Sequence, residues 1–239
     1  MAEAGPALSQ WEGLKDRLKE RLSGEAQGVL RIGAGEAAVL YLLPRILKAF
    51  QKKHPKVRII LHHQRAGETL RMLKAGELDL GVRSLTLVPA WAVYRPSREY
   101  PRVAVCAKGH AFAKGGPVKL GELSQHPLLF PGSQSFTRVL VEEALTKAGL
   151  AYQVGLEAGG WEAIKTYAAE GFGVAVVPEL CLTRDDRRRL AVRSTGDLFG
   201  QDSYGVVTRR GTALPPAARE LIRLVDLGYP DLSPKGGKA

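Results

Sequence analysis

Short runs of Val, Ile and Leu alternate along the chain with segments whose apolar residues recur every three or four positions. That alternation occurs twice. In the first copy the spacing predicts a strand at 29–32, a helix ending near 54, a strand at 57–62, a short helix around 68–74 and a strand at 78–82. In the second it predicts strands at 128–130, 152–156 and 174–177, separated by helices over 136–148 and 161–170. Strands that alternate with helices in this way pack as parallel βαβ units. The fold class expected is therefore α/β, with two similar Rossmann-like lobes and a small-molecule cleft between them.

The segments outside the two copies suggest how the lobes connect. Residues 100–107 and 204–208 read as strands, and Pro215-Pro216 opens an amphipathic helix over 217–227. Two strands crossing between lobes would make a hinge. The expected organisation is lobe I from 28–102 and 205–230, lobe II from 103–204, and a flexible tail over 231–239. Ahead of these, residues 7–23 carry an apolar stripe of Leu8, Trp11, Leu14, Leu18 and Leu22. Ser9-Gln10-Trp11-Glu12 fits a capping box at its start. A lone helix of that length is marginal in water, so its stripe is expected to pack on the body or on a second copy.

Bulk properties narrow the setting. No apolar run reaches the roughly 20 residues that span a bilayer. Met1-Ala2-Glu3-Ala4 lacks the basic start and apolar core of an export signal. Cys106 and Cys181 form no CxxC and read as small buried hydrophobes of a reducing compartment, which places the protein in the cytoplasm. The net charge of +11 favours a polyanionic partner. It is concentrated in Arg45, Lys48, Lys52, Lys53, Lys56 and Arg58, and again in Arg184, Arg187, Arg188, Arg189 and Arg193. No aromatic residues interleave with these runs and no nucleic-acid module is recognisable, so solvated helix exteriors are the favoured explanation and direct DNA contact by this chain the lesser one.

In open α/β lobes ligands settle where strands end and helices begin, because free backbone N–H groups point there. In the first lobe this turn is Gly33-Ala34-Gly35-Glu36-Ala37-Ala38, with Arg83-Ser84 at a neighbouring strand end. In the second it is Gly132-Ser133-Gln134-Ser135-Phe136-Thr137-Arg138, with Glu157-Ala158-Gly159-Gly160 beside it. The residues expected to contact an effector are Gly35, Glu36, Ala37, Ser84, Ser133, Ser135, Thr137 and Gly159. The hydroxyls of Ser133, Ser135 and Thr137 suit an anion, but serine and threonine before a helix also serve as plain N-caps. Glu36 and Glu157, if both face the ligand, would favour an amine-bearing effector.

Enzyme readings fare poorly. The first turn also matches GxGxxA, the weak form of a dinucleotide fingerprint. However, the second strand ends in Leu61-His62-His63-Gln64-Arg65, without the acidic residue that binds ribose, and Pro44 interrupts the following helix. His62 and His63 are adjacent on a strand and point to opposite faces, while His54, His110 and His126 stand apart in sequence. No GxSxG elbow, phosphate-binding loop or metal spacing is present, so neither a cofactor, a metal nor a nucleophile is nominated.

Several short segments together carry a family resemblance. They are Gly28-Val29-Leu30-Arg31-Ile32-Gly33, Leu42-Leu43-Pro44, Phe50, Pro55, Gly76-Glu77-Leu78-Asp79-Leu80-Gly81-Val82 and Gly171-Phe172-Gly173-Val174-Ala175-Val176-Val177-Pro178. In this order, over residues 28 to about 212, they resemble the effector-binding domain of LysR-type transcriptional regulators. The stretch from Ala163-Ile164-Lys165-Thr166-Tyr167 to Val177 most resembles the branch controlling cysteine and sulfur assimilation. The resemblance implies a type-2 periplasmic-binding-protein fold, an effector in the cleft, and dimers or tetramers. It implies promoter DNA binding only through a winged helix-turn-helix not present in this chain, and makes residues 1–27 the linker helix. That branch lines its anion pocket with threonines where this chain reads Gly35-Glu36-Ala37-Ala38 and Glu157-Ala158-Gly159-Gly160, so the effector need not be shared. Competing readings are a transport-type solute-binding protein, which would need an export signal, and a nucleotide-dependent enzyme.

Overall fold

The computed structural model describes residues 27–132 and 135–226. Residues 7–23, the tail 231–239, Ser133 and Gln134 lie outside this range. The chain forms two compact units. Of the described residues, the first comprises those up to Arg98 together with those from Ser203 onward, and the second those of Glu99–Asp202.

In the first unit β1 (Gly28–Ala34) lies between β2 (Val57–His63) and β3 (Leu80–Ser84), all parallel. The last strand, β9 (Gln201–Arg209), runs antiparallel to β3, with Arg83 opposite Gly205 and Ser84 opposite Tyr204. Helix α1 (Leu43–Lys53) buries Leu43, Ile46 and Phe50, whose spacing of three and four puts them on one face. The chain ahead of it is also helical and passes through a π-turn at Ala38–Leu42. Pro44 falls in the first turn of the regular segment, directly after this π-turn, so the helix runs through it rather than ending there. Helix α2 (Ala66–Ala75) follows β2. The third strand begins at Leu80 rather than 78, because the Asp79 carboxylate accepts the Arg31 N–H at 2.7 Å in place of a ladder bond.

Helix α2 comes very close to the sheet. A Cβ on Gly33 would lie 2.5 Å from Leu78 and 2.9 Å from Thr69, and one on Gly81 would lie 3.0 Å from Thr69. Gly33 and Gly81 are cross-strand partners, so two absent side chains make one slot for Thr69. Only glycine permits that approach.

In the second unit β4 (Ala92–Ala107) pairs antiparallel with β7 (Val174–Pro178) and with β8 (Leu190–Ser194). Strand β5 (Leu128–Pro131) lies parallel to both β7 and β6 (Val154–Ala158). Successive residues serve opposite faces: Ala104, Cys106, Leu128, Phe130, Val174 and Val176 join one core, and Val103, Val105, Leu129, Ala175 and Val177 the other. Strands covered on both faces read as continuous apolar runs, as they do here. Among the described residues, four α-helices belong to this unit. The short α3 (Leu120–Leu123) adds Leu123 to the first core, and α4 (Phe136–Lys147) adds Val141 and Leu145. Helix α5 (Trp161–Ala169) supplies Ile164 and Ala168 to the second.

Further elements depart from expectation. The strand expected at 100–107 extends back to Ala92 despite Pro96 and Pro101. The polar stretch 182–197 contains a six-residue helix, α6 (Arg184–Arg189), and strand β8. Thr183 and Asp186 cap that helix reciprocally, each side chain bonding the other's backbone N–H. The final helix, α7 (Pro216–Asp226), packs against α1 through a stripe including Ala218, Leu221, Ile222 and Val225. The chain passes between the units within β4 and again within β9.

Candidate functional site

In the first unit the carboxyl ends of β1 and β3 adjoin, since Ala34 is the register partner of Val82. Gly35, Glu36 and Ala37 leave β1 directly into helix, and the Val39 N–H already bonds the Gly35 carbonyl at 3.0 Å. Ser84 closes β3 opposite Tyr204. Tyr94 braces this end, its hydroxyl lying 2.7 Å from the Ser203 carbonyl oxygen and 3.2 Å from that of Arg83. Four of the expected contacts thus share one end of one sheet.

Arg83, at the same strand end as Ser84, is not among the contacts expected from sequence. Arg83 Nη1 donates to Thr69 Oγ1 at 2.9 Å and to the Gln64 carbonyl at 3.4 Å. Thr69 is itself fixed, donating to the Arg65 carbonyl at 3.1 Å. Arg83 Nε is buried and has no acceptor among the described residues. Nη2 stands 3.6 Å from the point where Gly35 would carry a Cβ, and nothing else lies within 4 Å of that point. Burial lowers the guanidinium pKa from its ordinary value, and only Tyr204 and Tyr94 oppose the shift. Strand alternation in β1 and β3 would have put Arg83 on the face cleared by Gly33 and Gly81. What sequence could not show is that no carboxylate among the described residues meets it.

In the second unit β5 and β6 end side by side, with Pro131 opposite Ala158. Ser135, at the N-cap position of α4, and Gly159, just after β6, therefore lie at the same end of this sheet. The Ser135 hydroxyl makes no capping bond, while its N–H donates to the Gly132 carbonyl at 2.9 Å. Gly159 faces open space. Thr137 is different: it is 4% exposed, and its hydroxyl accepts from Arg102 Nε at 3.3 Å. Arg102, 1% exposed, also bonds the Phe199 carbonyl at 2.7 Å and pairs with Asp202. Glu157 lies 2.6 Å from Arg138 Nη1, an ion pair within the unit that shares its charge.

Other groups singled out in the sequence prove structural. Lys165, fully buried, donates to Asp186 Oδ2 at 2.6 Å, to the Cys181 carbonyl at 2.7 Å and to Glu162 at 2.9 Å. This fastens α5 to α6. The arginine run is largely neutralised: Arg187 meets Glu179, Arg188 meets Asp185, Arg189 meets Asp186 and Arg193 meets Glu122. His110 and His126, distant in sequence, sit with ring centroids 5.0 Å apart, and His110 Nδ1 accepts the Phe112 N–H. Among the described residues no group of His, Cys, Asp and Glu is arranged to hold a metal, and no helix is long and apolar enough to cross a membrane.

Two α/β units traversed by shared strands, each with parallel strands ending at helix starts, define a ligand-binding regulatory domain. Residues 23–227 match the LysR substrate binding domain, and the chain belongs to that family. It is 26% identical over 226 residues to the HTH-type transcriptional regulator CysB of Burkholderia cenocepacia, covering 94% of this chain and 72% of that protein. It is 26% identical over 197 residues to the regulator cbl of Escherichia coli K12, covering 82% and 62%. The cofactor-binding domain of the Cbl transcriptional regulator superposes with a TM-score of 0.78 at 26% identity, over 84% of this chain and 89% of that one. The regulatory domain of Synechocystis CcmR in complex with 2-PG shares the fold, with a TM-score of 0.77 at 23% identity, over 86% and 99%. The chain is thus an effector-binding domain of the LysR type, and these relatives are regulators rather than transport proteins or oxidoreductases.

Proposed function

We propose that this domain senses a small-molecule effector at the carboxyl ends of its parallel strands and transmits occupancy to transcription. The supporting observation is the family match across residues 23–227, combined with strand ends at which Gly35 faces Arg83 Nη2 and Gly159 faces open space. Gly35, Glu36, Ala37 and Ser84 are the contacts in the first unit, and Ser135 and Gly159 those in the second, with Ser133 between β5 and α4. Thr137 acts one step back, by holding Arg102.

In this reading the protein works in the cytoplasm as a dimer or tetramer and reaches promoter DNA through a separate helix-turn-helix, without catalysing a reaction. Effector control requires the ligand to bind one conformational state better, by the ~1–3 kcal/mol typical of coupled sites. Thermal-shift screening of the chain against amino acids, organic acids, sugar phosphates and inorganic anions tests it. A specific ligand raises the melting temperature in a saturable way. A chain indifferent to all classes contradicts the reading.

A further inference from the structure

We propose that Arg83 is the anchor for a negatively charged oxygen group of the effector, a carboxylate, sulfate or phosphate, received in the space in front of Gly35. The inference rests on the reading that this end of the first sheet is an effector site, and it names the ligand's chemistry.

Among the described residues no carboxylate pairs with Arg83, although burial acts on its charge. Arg102 has Asp202, Arg138 has Glu142 and Glu157, Arg187 has Glu179 and Arg193 has Glu122. Arg83 has backbone and hydroxyl partners on Nη1 alone, among the described residues. Desolvating a cation without a counter-charge is costly. Such a cost persists where a ligand offsets it.

The geometry gives the cost a direction. Nη1 is tied down by Thr69, which fixes the plane of the guanidinium. Nε and Nη2, the edge that forms a side-on fork, are the donors left over. Nη2 looks across Gly35, whose missing side chain leaves that space empty. An oxyanion engages Nη2 there and reaches buried Nε with a small shift of the guanidinium. Glu36, adjacent in sequence, is not among the groups that bear on Arg83, so it does not supply the missing counter-charge.

Calorimetric titration of the chain with inorganic sulfate, inorganic phosphate and succinate, at ionic strength held constant with sodium chloride, tests the anchor. At least one binds, and Arg83→Met weakens it by roughly tenfold to a hundredfold, the range for a hydrogen bond to a charged group. Arg83→Lys restores part of the loss. Gly35→Leu keeps the charge but fills the space, and weakens binding comparably; it decides the matter should Arg83→Met fail to fold. Unchanged affinity in Arg83→Met and Gly35→Leu overturns the proposal, as does a wild-type chain that binds none of the three. A neutral or cationic effector that binds wild type and Arg83→Met alike overturns the anchor while leaving effector sensing intact. A chain that binds no ligand of any class overturns both.

Discussion

Thr137 Oγ1 accepts a hydrogen bond from Arg102 Nε inside the second unit, 3.3 Å away and out of reach of solvent. A residue with the sequence signature of a ligand-binding helix start thus spends its hydroxyl on an internal arginine. Thr137→Ala leaves one donor of a buried cation unpaired, a loss of about 1–3 kcal/mol. The melting temperature should fall by several degrees for a chain this size. Ser135→Ala, whose hydroxyl makes no capping bond, should leave it nearly unchanged. Equal losses for the two variants would contradict this division of roles.

Lys165 and Asp186 make the other critical internal contact. Removing one partner of a buried ion pair costs about 3–5 kcal/mol, because the remaining charge is stranded. Lys165→Met should therefore unfold at markedly lower denaturant concentration than wild type. The Asp186 carboxyl is held below its ordinary range by the Lys165 ammonium and by Thr183, against burial, which acts in the opposite direction. A lowered folded-state pKa contributes stability that is present above the unfolded value, about 3.9, and is lost as pH falls through the folded one. Urea midpoints measured from pH 7 down to 3 should show this acid loss in wild type and a weaker one in Asp186→Asn.

Close packing at the Gly33–Gly81 pair yields a third expectation. Gly33→Ala places a methyl 2.5 Å from Leu78 and 2.9 Å from Thr69, so these side chains must shift. Overpacking of this kind costs about 1–3 kcal/mol. Because Thr69 also holds Arg83, ligand affinity should drop with stability. Gly67→Ala, with nothing within 4 Å, serves as the control on the same helix.

Cys106 should be chemically inert in the folded chain. Burial raises its thiol pKa to about 11, with Arg193 opposing only in part. Thiolate is the reactive form, so iodoacetamide labelling at neutral pH should track the unfolded fraction. Rapid labelling of the native protein would refute it.

The strands and long helices were legible because their apolar residues have clear periods. The run 128–130 and the triplet Leu43, Ile46, Phe50 are examples, and the twofold repeat follows from them. Helix α6 was not legible: Arg184–Arg189 contains no apolar residue, and its only signal is the Thr183/Asp186 cap. The early part of β4 was hidden by Pro96 and Pro101. Of the site, sequence located Gly35–Ala37, Ser84 and Gly159 at strand ends. It did not distinguish Thr137 as internal or Arg83 as unanswered, because both depend on partners distant along the chain. Arg102 meets Thr137 across 35 residues, and the lack of a carboxylate near Arg83 among the described residues is a property of packing.

The most direct measurement of the account is hydrogen–deuterium exchange of the chain with and without a ligand found by screening. Protection should rise at residues 35–37 and 83–84 in the first unit and around 135 and 159 in the second, while the exposed Leu87–Val88 segment stays unchanged. Protection confined to surfaces away from these strand ends, with 35–37 and 83–84 exchanging as before, would contradict it.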